Sequence, residues 1–73
     1  MNRKFNGAAL KALRKERGIS QKALAQICKV SNTYLCDIES GRTNPSLNKL
    51  LTICRALGVD LNTFIERQGE DHE

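Results

Sequence analysis

The side chains best suited to chemistry lie in one short segment of the sequence, residues 32–40. Its apolar residues Leu35 and Ile38 are spaced to share one buried helix face, which leaves the other faces to short polar groups. Such groups can donate and accept hydrogen bonds at the edges of base pairs in the major groove of DNA. A helix that only has to be soluble usually carries lysine and glutamate instead. The segment therefore indicates a surface that reads nucleic acid, formed by Asn32, Thr33, Tyr34, Cys36 and Asp37.

The distribution of charge is typical of a protein with a polyanionic partner. The net charge is +4 over 73 residues. Residues 1–29 carry eight basic side chains and one acidic side chain, whereas residues 30–73 carry four basic and seven acidic ones. A concentrated basic half favours binding to nucleic acid. Ordinary solvated helix faces would also explain it, so charge alone does not decide between the two.

Other chemistries lack the residues that they require. The single histidine, His72, lies in an acidic segment, and the spacing of the three cysteines suits neither a disulfide framework nor a paired metal site. Cys28 and Cys54 fall at apolar positions, where we expect small core residues. The sequence has no glycine-rich phosphate loop, and its apolar runs are too short to cross a bilayer. We therefore expect a cytoplasmic protein that is not an enzyme and that has no cofactor, no metal and no membrane association.

Capping residues predict where helices begin and end. An apolar residue before a capping residue, with a second apolar residue four positions after the cap, forms the hydrophobic staple of a helix N-terminus. This pattern occurs at Phe5-Asn6, Ile19-Ser20, Val30-Ser31, Pro45-Ser46 and Val59-Asp60. Glycines that can close a helix in the left-handed conformation stand at Gly18, Gly41, Gly58 and Gly69. The pattern predicts five helices, beginning near residues 7, 21, 32, 47 and 61, and no β-strand.

A very short turn must join the second and third helices. No glycine ends the second helix, and Val30 and Ser31 already begin the third, so the second helix is predicted to end at Lys29. A turn of about three residues between two short helices is the spacing of a helix-turn-helix. We expect the turn residue to have a positive φ, a conformation that costs lysine about 1 kcal/mol relative to glycine.

More than a dozen residues at fixed spacing resemble the Cro/C1-type helix-turn-helix of phage repressors and of the bacterial regulators called the xenobiotic-response-element family. The matching residues are Leu13-Arg14, Gly18-Ile19-Ser20-Gln21, Leu24-Ala25, Val30-Ser31, Leu35, Ile38-Glu39, Gly41, Asn44-Pro45-Ser46, Leu50, Ile53 and Leu57. The resemblance covers residues 6–66. The sequence departs from the family at Lys29, where glycine is usual, and at Cys54, where alanine is usual.

This resemblance implies an all-α, five-helix, lambda-repressor-like DNA-binding domain with the helix-turn-helix at helices 2 and 3. The domain is expected to span residues 6–67. A flexible N-terminal arm over residues 1–5 and an acidic C-terminal tail over residues 68–73 are expected on either side of it.

The resemblance also implies roles for individual residues. The helix over 32–40 would lie in the major groove, with Asn32, Thr33 and Asp37 at the bases and with Tyr34 and Cys36 at the edge of that set. Phosphate contacts are expected at the start of the second helix, at the cap of the third and in the loop after it, from Gln21, Lys22, Ser31, Ser40, Arg42, Thr43 and Asn44. Arg14 and Glu39 match positions that form a partly buried ion pair between the first and third helices.

These observations predict a sequence-specific regulator of transcription, a repressor that binds a palindromic double-stranded operator as a homodimer. Two alternatives stay open: a small activator, such as the controller of a restriction-modification system, and an antitoxin or other protein-interaction module of the same fold. The last helix bears on the second alternative, because Leu61, Phe64 and Ile65 offer more apolar surface than a small monomer requires. Of these, Ile65 is the expected contact with a second copy or a protein partner.

Overall fold

The computed structural model describes residues 3–67 of the chain. They form four α-helices, one short 3-10 helix and two short strands. In chain order these elements are β1 (Arg3–Phe5), α1 (Gly7–Glu16), α2 (Gln21–Cys28), α3 (Asn32–Ser40), α4 (Leu47–Leu57), the 3-10 helix (Leu61–Phe64) and β2 (Ile65–Arg67). The four helix starts predicted near residues 7, 21, 32 and 47 are confirmed. No helix within the described range is long and apolar enough to span a membrane.

Each α-helix begins at the capping residue that the sequence predicted. The Oδ1 atom of Asn6 accepts a hydrogen bond of 3.0 Å from the Ala9 N–H at the start of α1. The serine hydroxyls that precede α2, α3 and α4 accept equivalent bonds of 3.0, 2.9 and 3.2 Å. Each bond satisfies one of the backbone donors that a helix leaves free at its N-terminus. Local capping therefore explains why the helices begin where they do.

The prediction of a fifth α-helix near residue 61 is wrong. Leu61–Phe64 form a single 3-10 turn, after which the chain becomes extended. The side chain of Asp60 makes no capping bond to this turn, and its Oδ2 atom accepts a bond of 3.1 Å from the Asn62 amide instead. One helical turn without a cap gains little against its backbone entropy. The residues after it instead pair with the start of the chain.

The prediction of no β-strand is also wrong. Arg3–Phe5 pairs antiparallel with Ile65–Arg67, with Phe5 opposite Ile65. Phe5 is buried, and its ring centroid lies 5.7 Å from that of Phe64. Strands of three residues are too short for an alternating pattern to be visible in a sequence. The part of the expected flexible arm from Arg3 to Phe5 is therefore held in the sheet. The expected acidic tail and the predicted stop at Gly69 lie outside the described residues.

One contiguous core joins all these elements. Its fully buried side chains come from α1, α2, α3, α4 and the 3-10 helix, and the largest are Leu10, Leu24, Leu35, Ile38, Ile53, Leu57 and Phe64. Cys28 and Cys54 lie in this core as predicted. Burial raises the pKa of the Cys28 thiol, against a smaller lowering by Lys49. Burial, followed by the charge of Asp60, raises the pKa of Cys54. Both thiols are therefore weaker nucleophiles than an exposed cysteine.

Two contacts that the sequence did not indicate fix both ends of α1. Gly7, at its start, lies so close to the end of α3 that a Cβ atom there would overlap the carbonyl oxygen of Ile38. Arg17, at its end, donates from Nη1 to the carbonyl oxygen of Leu57 at 2.5 Å and so caps the C-terminus of α4. Both contacts join residues far apart in the sequence, which is why no local pattern predicted them.

The turn between α2 and α3 is confirmed where the sequence placed it. Lys29 follows the last residue of α2 and has φ 59° and ψ 43°. It is the one residue other than glycine with a positive φ between residues 3 and 67. The Val30 N–H donates to the carbonyl oxygen of Ala25 at 3.0 Å, which closes the helix end. A lysine therefore holds a conformation that glycine adopts at no steric cost.

Replacing Lys29 by glycine is expected to stabilise the fold. The substitution removes the cost of a side chain in the left-handed region, about 1 kcal/mol, which corresponds to a rise of about 4 to 8 °C in Tm for a domain of this size. Thermal unfolding followed by circular dichroism measures the difference. A clear fall in Tm would mean that the lysine side chain stabilises the turn in some way that the backbone geometry does not show.

Candidate nucleic-acid interface

The polar residues predicted on α3 are accessible at its surface. Asn32, Thr33 and Cys36 are exposed, and Tyr34 and Asp37 are half-buried. Leu35 and Ile38, on the opposite side, are fully buried. We use the name reading face for the surface formed by Asn32, Thr33, Cys36 and Asp37. It consists of short hydrogen-bonding groups and one thiol, supported from behind by the core.

A buried ion pair fixes the orientation of α3. Arg14 of α1 donates to Glu39 of α3 through two bonds, Nε to Oε2 at 2.7 Å and Nη2 to Oε1 at 3.1 Å. The two side chains are 9% and 3% exposed. The Nη1 atom of Arg14 also donates to the carbonyl oxygen of Ile19, in the loop before α2, at 2.8 Å. The pair that the family resemblance implies is therefore present, and it joins α1, α3 and the start of the helix-turn-helix.

Gln21 links this buried pair to the reading face. Its Nε2 atom donates to Oε1 of Glu39 at 3.1 Å, and its Oε1 atom accepts from Nδ2 of Asn32 at 3.2 Å. Hydrogen bonds therefore run without a break from Arg14 through Glu39 and Gln21 to Asn32. The sequence predicted Gln21 only as a phosphate contact. Its bond to Asn32 depends on how α2 packs against α3, so no local signal could reveal it.

The bond to Gln21 determines what Asn32 can offer a ligand. An asparagine amide has two N–H donors and one acceptor oxygen. One donor of Asn32 is used by Gln21, which leaves one N–H donor and the Oδ1 acceptor for a ligand. Adenine presents the complementary pair, the N7 acceptor and the N6 amine donor, in the major groove. The structure therefore orients Asn32 before any ligand binds.

Asp37 has a cationic neighbour that offsets its charge. The Nη1 atom of Arg42 lies 3.5 Å from Oδ1 of Asp37, and the two side chains are 77% and 34% exposed. The Arg42 N–H also donates to the backbone oxygen of Asp37 at 2.9 Å, across the glycine that ends α3. A carboxylate near DNA phosphates is repelled unless a donor accompanies it. Arg42 supplies that donor, although an ion pair this exposed adds little to stability.

The residues predicted as phosphate contacts fall into two groups. Gln21 and Lys22 open α2, and the second group lies at the last residue of α3 and in the loop after it, at Ser40, Arg42, Thr43 and Asn44. All except the half-buried Gln21 are exposed. Ser31 is exposed as well, but its hydroxyl oxygen accepts the capping bond from the Tyr34 N–H. Only the hydrogen of that hydroxyl is therefore free to reach a phosphate. Among residues 3–67, no group of three or more potential metal ligands occurs.

Comparison with known proteins places the chain in a family. The sequence model of the helix-turn-helix family matches residues 10–64. The chain is similar to the immunity repressor protein of Bacillus phage phi105, with 42% identity over 59 residues, which is 81% of this chain and 41% of that protein. The chain spans about half the length of the first curated relatives that it matches.

Two solved structures with a similar fold contain DNA. One is SinR, a master regulator for biofilm formation, in complex with DNA. It has a TM-score of 0.73 and 38% identity, covering 78% of this chain and 92% of that chain. The other is the P22 c2 repressor in complex with a synthetic operator, with a TM-score of 0.73 and 32% identity, covering 77% and 85%.

Removing the anionic member of the buried pair is expected to destabilise the fold strongly. Glu39→Ala leaves the guanidinium of Arg14 buried without its counter-charge, at a cost of about 3 kcal/mol. Asp37→Ala, on the same helix, breaks only the exposed pair with Arg42 and is expected to cost less than about 1 kcal/mol. Urea unfolding of the two variants and the parent chain gives both values. Equal losses would show that the Arg14 pair behaves as a surface interaction.

Proposed function

Because this chain belongs to the Cro/C1-type helix-turn-helix family of DNA-binding transcription regulators, we propose that it is a repressor that binds a specific operator through α3. The observation that carries the proposal is the orientation of Asn32 by Gln21 at the start of an exposed polar helix. A side chain that is held in place loses less conformational entropy when it binds. In this proposal, Asn32 is therefore already ordered in the free protein and loses little conformational entropy when it contacts a base.

The proposed base contacts follow from the chemistry of the reading face. Asn32 pairs with adenine through its free donor and its oxygen, while Thr33 and Cys36 contact thymine methyl groups. Asp37 accepts from a cytosine amine, with Arg42 offsetting its charge. Tyr34, at the margin, is half-buried and is assigned to the sugar-phosphate backbone rather than to a base.

Phosphate contacts give the affinity that the reading face cannot supply alone. Lys22 stands in the first turn of α2, where free backbone N–H groups and the helix dipole favour an anion. The amide of Gln21, next to Lys22 in sequence, has one N–H available for a phosphate. Its other N–H donates to Glu39, and its oxygen accepts from Asn32. Ser31 adds its hydroxyl hydrogen at the cap of α3. The exposed residues at the end of α3 and in the loop after it contribute further contacts, at Ser40, Arg42, Thr43 and Asn44. The Ser40 hydroxyl donates to the carbonyl oxygen of Asp37 at 3.1 Å in the free protein, so it must rotate to reach a phosphate.

A palindromic operator and a homodimer complete the proposal. A two-fold symmetric protein places two copies of α3 in major grooves about 34 Å apart. Among the described side chains, three large apolar ones are exposed and supply surface for association: Ile27 at 56%, Leu47 at 63% and Leu51 at 37%. Leu47 and Leu51 stand one turn apart on the same face of α4. Ile65, the contact expected from the sequence, is half-buried beside the core and so offers less surface.

The same exposed apolar residues favour a second candidate function, a module that binds another protein. Selecting bound sequences from a random duplex library separates the two. A palindromic consensus supports the operator-binding homodimer. Retention that depends on salt but shows no consensus, together with a monomer in sedimentation equilibrium, would contradict that proposal and favour the interaction module.

Substitutions at Asn32 and Lys22 are expected to act differently on the selected duplex. Asn32→Ala removes a base contact and should cost about 1 to 3 kcal/mol on the preferred sequence, with relaxed preference at one base pair in each half-site. Lys22→Ala removes a phosphate contact and should weaken all sequences alike, with a smaller dependence of affinity on salt. Fluorescence anisotropy on matched and mismatched duplexes measures both. Equal losses on every sequence for both variants would reject the assigned roles.

Gln21 is expected to control the same base pair as Asn32 although it does not contact that base. Gln21→Ala frees the Asn32 amide, so the ratio of affinities for the matched and mismatched base pair should fall. Adding Gln21→Ala to Asn32→Ala should change the affinity ratio little further, which corresponds to a coupling energy of about 0.5 to 3 kcal/mol between the two residues. Using the ratio cancels any phosphate contact made by Gln21, because that contact acts on both duplexes. Fully additive effects on the ratio would show that Gln21 does not position Asn32.

A further inference from the structure

A cleft of about 360 Å³ lies where the turn after α2, the helix α3 and the start of α4 meet. Its lining residues are Lys29, Val30, Ser31, Tyr34, Ser46 and Lys49. Lys29 and Lys49 have so far been assigned no role in binding. We call this space the Lys29 cleft.

The backbone strain at Lys29 is the first sign that its side chain has a function. The residue holds φ 59°, where glycine would remove a cost of about 1 kcal/mol. Strained residues tend to persist where the structure uses them for binding or catalysis. The backbone at this turn does not require a lysine. The strain therefore directs attention to the ammonium group, which lines the cleft.

The charges around the cleft are not balanced within the described part of the chain. The ion pairs among the described side chains are Arg14–Glu39 and Arg42–Asp37, and neither involves Lys29 or Lys49. Lys49 lies close enough to Cys28, the neighbour of Lys29 in sequence, for its charge to lower the pKa of that thiol against the effect of burial. Two ammonium groups that share one cleft repel each other until an anion binds between them.

The remaining polar groups of the cleft are free to donate hydrogen bonds. The hydroxyl oxygens of Ser31 and Ser46 accept backbone N–H groups at the starts of α3 and α4, at 2.9 and 3.2 Å. The hydroxyl hydrogens are not used in these bonds and can be donated to a ligand. Tyr34 adds a phenolic hydroxyl to the lining, and this group can also donate. A lining of cations and hydroxyl donors suits a ligand made of acceptor oxygens, and phosphate is such a ligand.

The position of the cleft around α3 identifies where that phosphate comes from. Successive residues of an α-helix are rotated by about 100°. Asn32 and Glu39, which contact Gln21, therefore lie on one side of α3, and Tyr34 lies about 200° from Asn32. The residues between these two directions are Thr33, Cys36, Asp37 and Ser40. The reading face is thus bordered by Gln21 on one side and by the Lys29 cleft on the other.

We infer that the Lys29 cleft binds a backbone phosphate of double-stranded DNA, on the strand across the major groove from the strand that Gln21 and Lys22 contact. The inference rests on the proposed function, since it assumes that α3 lies in the groove. A helix in the major groove has a sugar-phosphate strand on each side. Phosphate contacts on both strands determine the depth and tilt of α3 and so the bases that the reading face reaches.

The test compares Lys29→Gly and Lys49→Gln with a matched control, Arg55→Gln. Arg55 is exposed and lies on α4, about 9 Å further along the helix axis than Lys49. Arg55→Gln therefore removes one positive charge from the same helix at a site outside the cleft. The measurements are the Kd of each chain for the selected duplex between 50 and 300 mM salt, the Kd for a random duplex, and Tm. Each phosphate contact adds about 0.9 to the slope of log affinity against log salt, or about tenfold in affinity at 0.1 M salt.

Each lysine variant is expected to bind both duplexes about tenfold more weakly than the parent chain at 0.1 M salt. The slope of log affinity against log salt should fall by about 1. Lys29→Gly should lose this affinity while its Tm rises, a combination that damage to the fold cannot produce. Arg55→Gln should match the parent chain. If the parent binds its duplex selectively and the lysine variants keep its Kd and slope, the cleft assignment is wrong while the proposed function stands. A parent chain that selects no duplex would overturn both.

Discussion

The buried ion pair between Arg14 and Glu39 ties α1 to α3 and to the loop before α2. Two charges removed from water are tolerated only when each has the other and when their remaining hydrogen-bonding atoms have partners. Both conditions hold, because Arg14 also bonds the backbone of Ile19 and Glu39 also accepts from Gln21. A different packing of α3 would leave a charge buried alone. Such a packing would therefore carry an electrostatic cost in addition to the loss of apolar contacts.

That constraint extends from the interior to the surface. Asn32 is exposed, yet its amide is oriented by Gln21, which is itself held by Glu39. A hydrogen bond formed at the surface usually contributes little, because water competes for both partners. Here one end of the chain of bonds is inaccessible to water, so its geometry is maintained. The orientation of a single surface amide thus depends on a salt bridge beneath it.

Local signals made much of this structure predictable from the sequence. The serines and Asn6 that cap the four α-helices act on backbone atoms three residues away, so they are visible as short motifs. The contacts that position the reading face join distant segments: Gly7 against Ile38, Arg17 with Leu57 and Gln21 with Asn32. Only the family resemblance pointed to the Arg14 pair. The end of the chain was predicted incorrectly because the partner of Ile65–Arg67 is Arg3–Phe5, about sixty residues earlier.

In the proposed complex, the division of charge within the chain would separate the affinity for DNA from the specificity for a base sequence. The reading helix α3 carries the acidic residues Asp37 and Glu39 and no basic residue, so by itself it would be repelled by the phosphates of a groove. Attraction must come from its neighbours, and Lys22 and Lys29 lie in the half of the chain where basic residues outnumber acidic ones eight to one. Basic groups on α3 would bind every sequence alike. In the proposed complex the charge lies beside α3 instead, so the phosphates would hold the domain in the groove. Discrimination between bases would then be left to neutral and acidic side chains that gain energy only at matching edges.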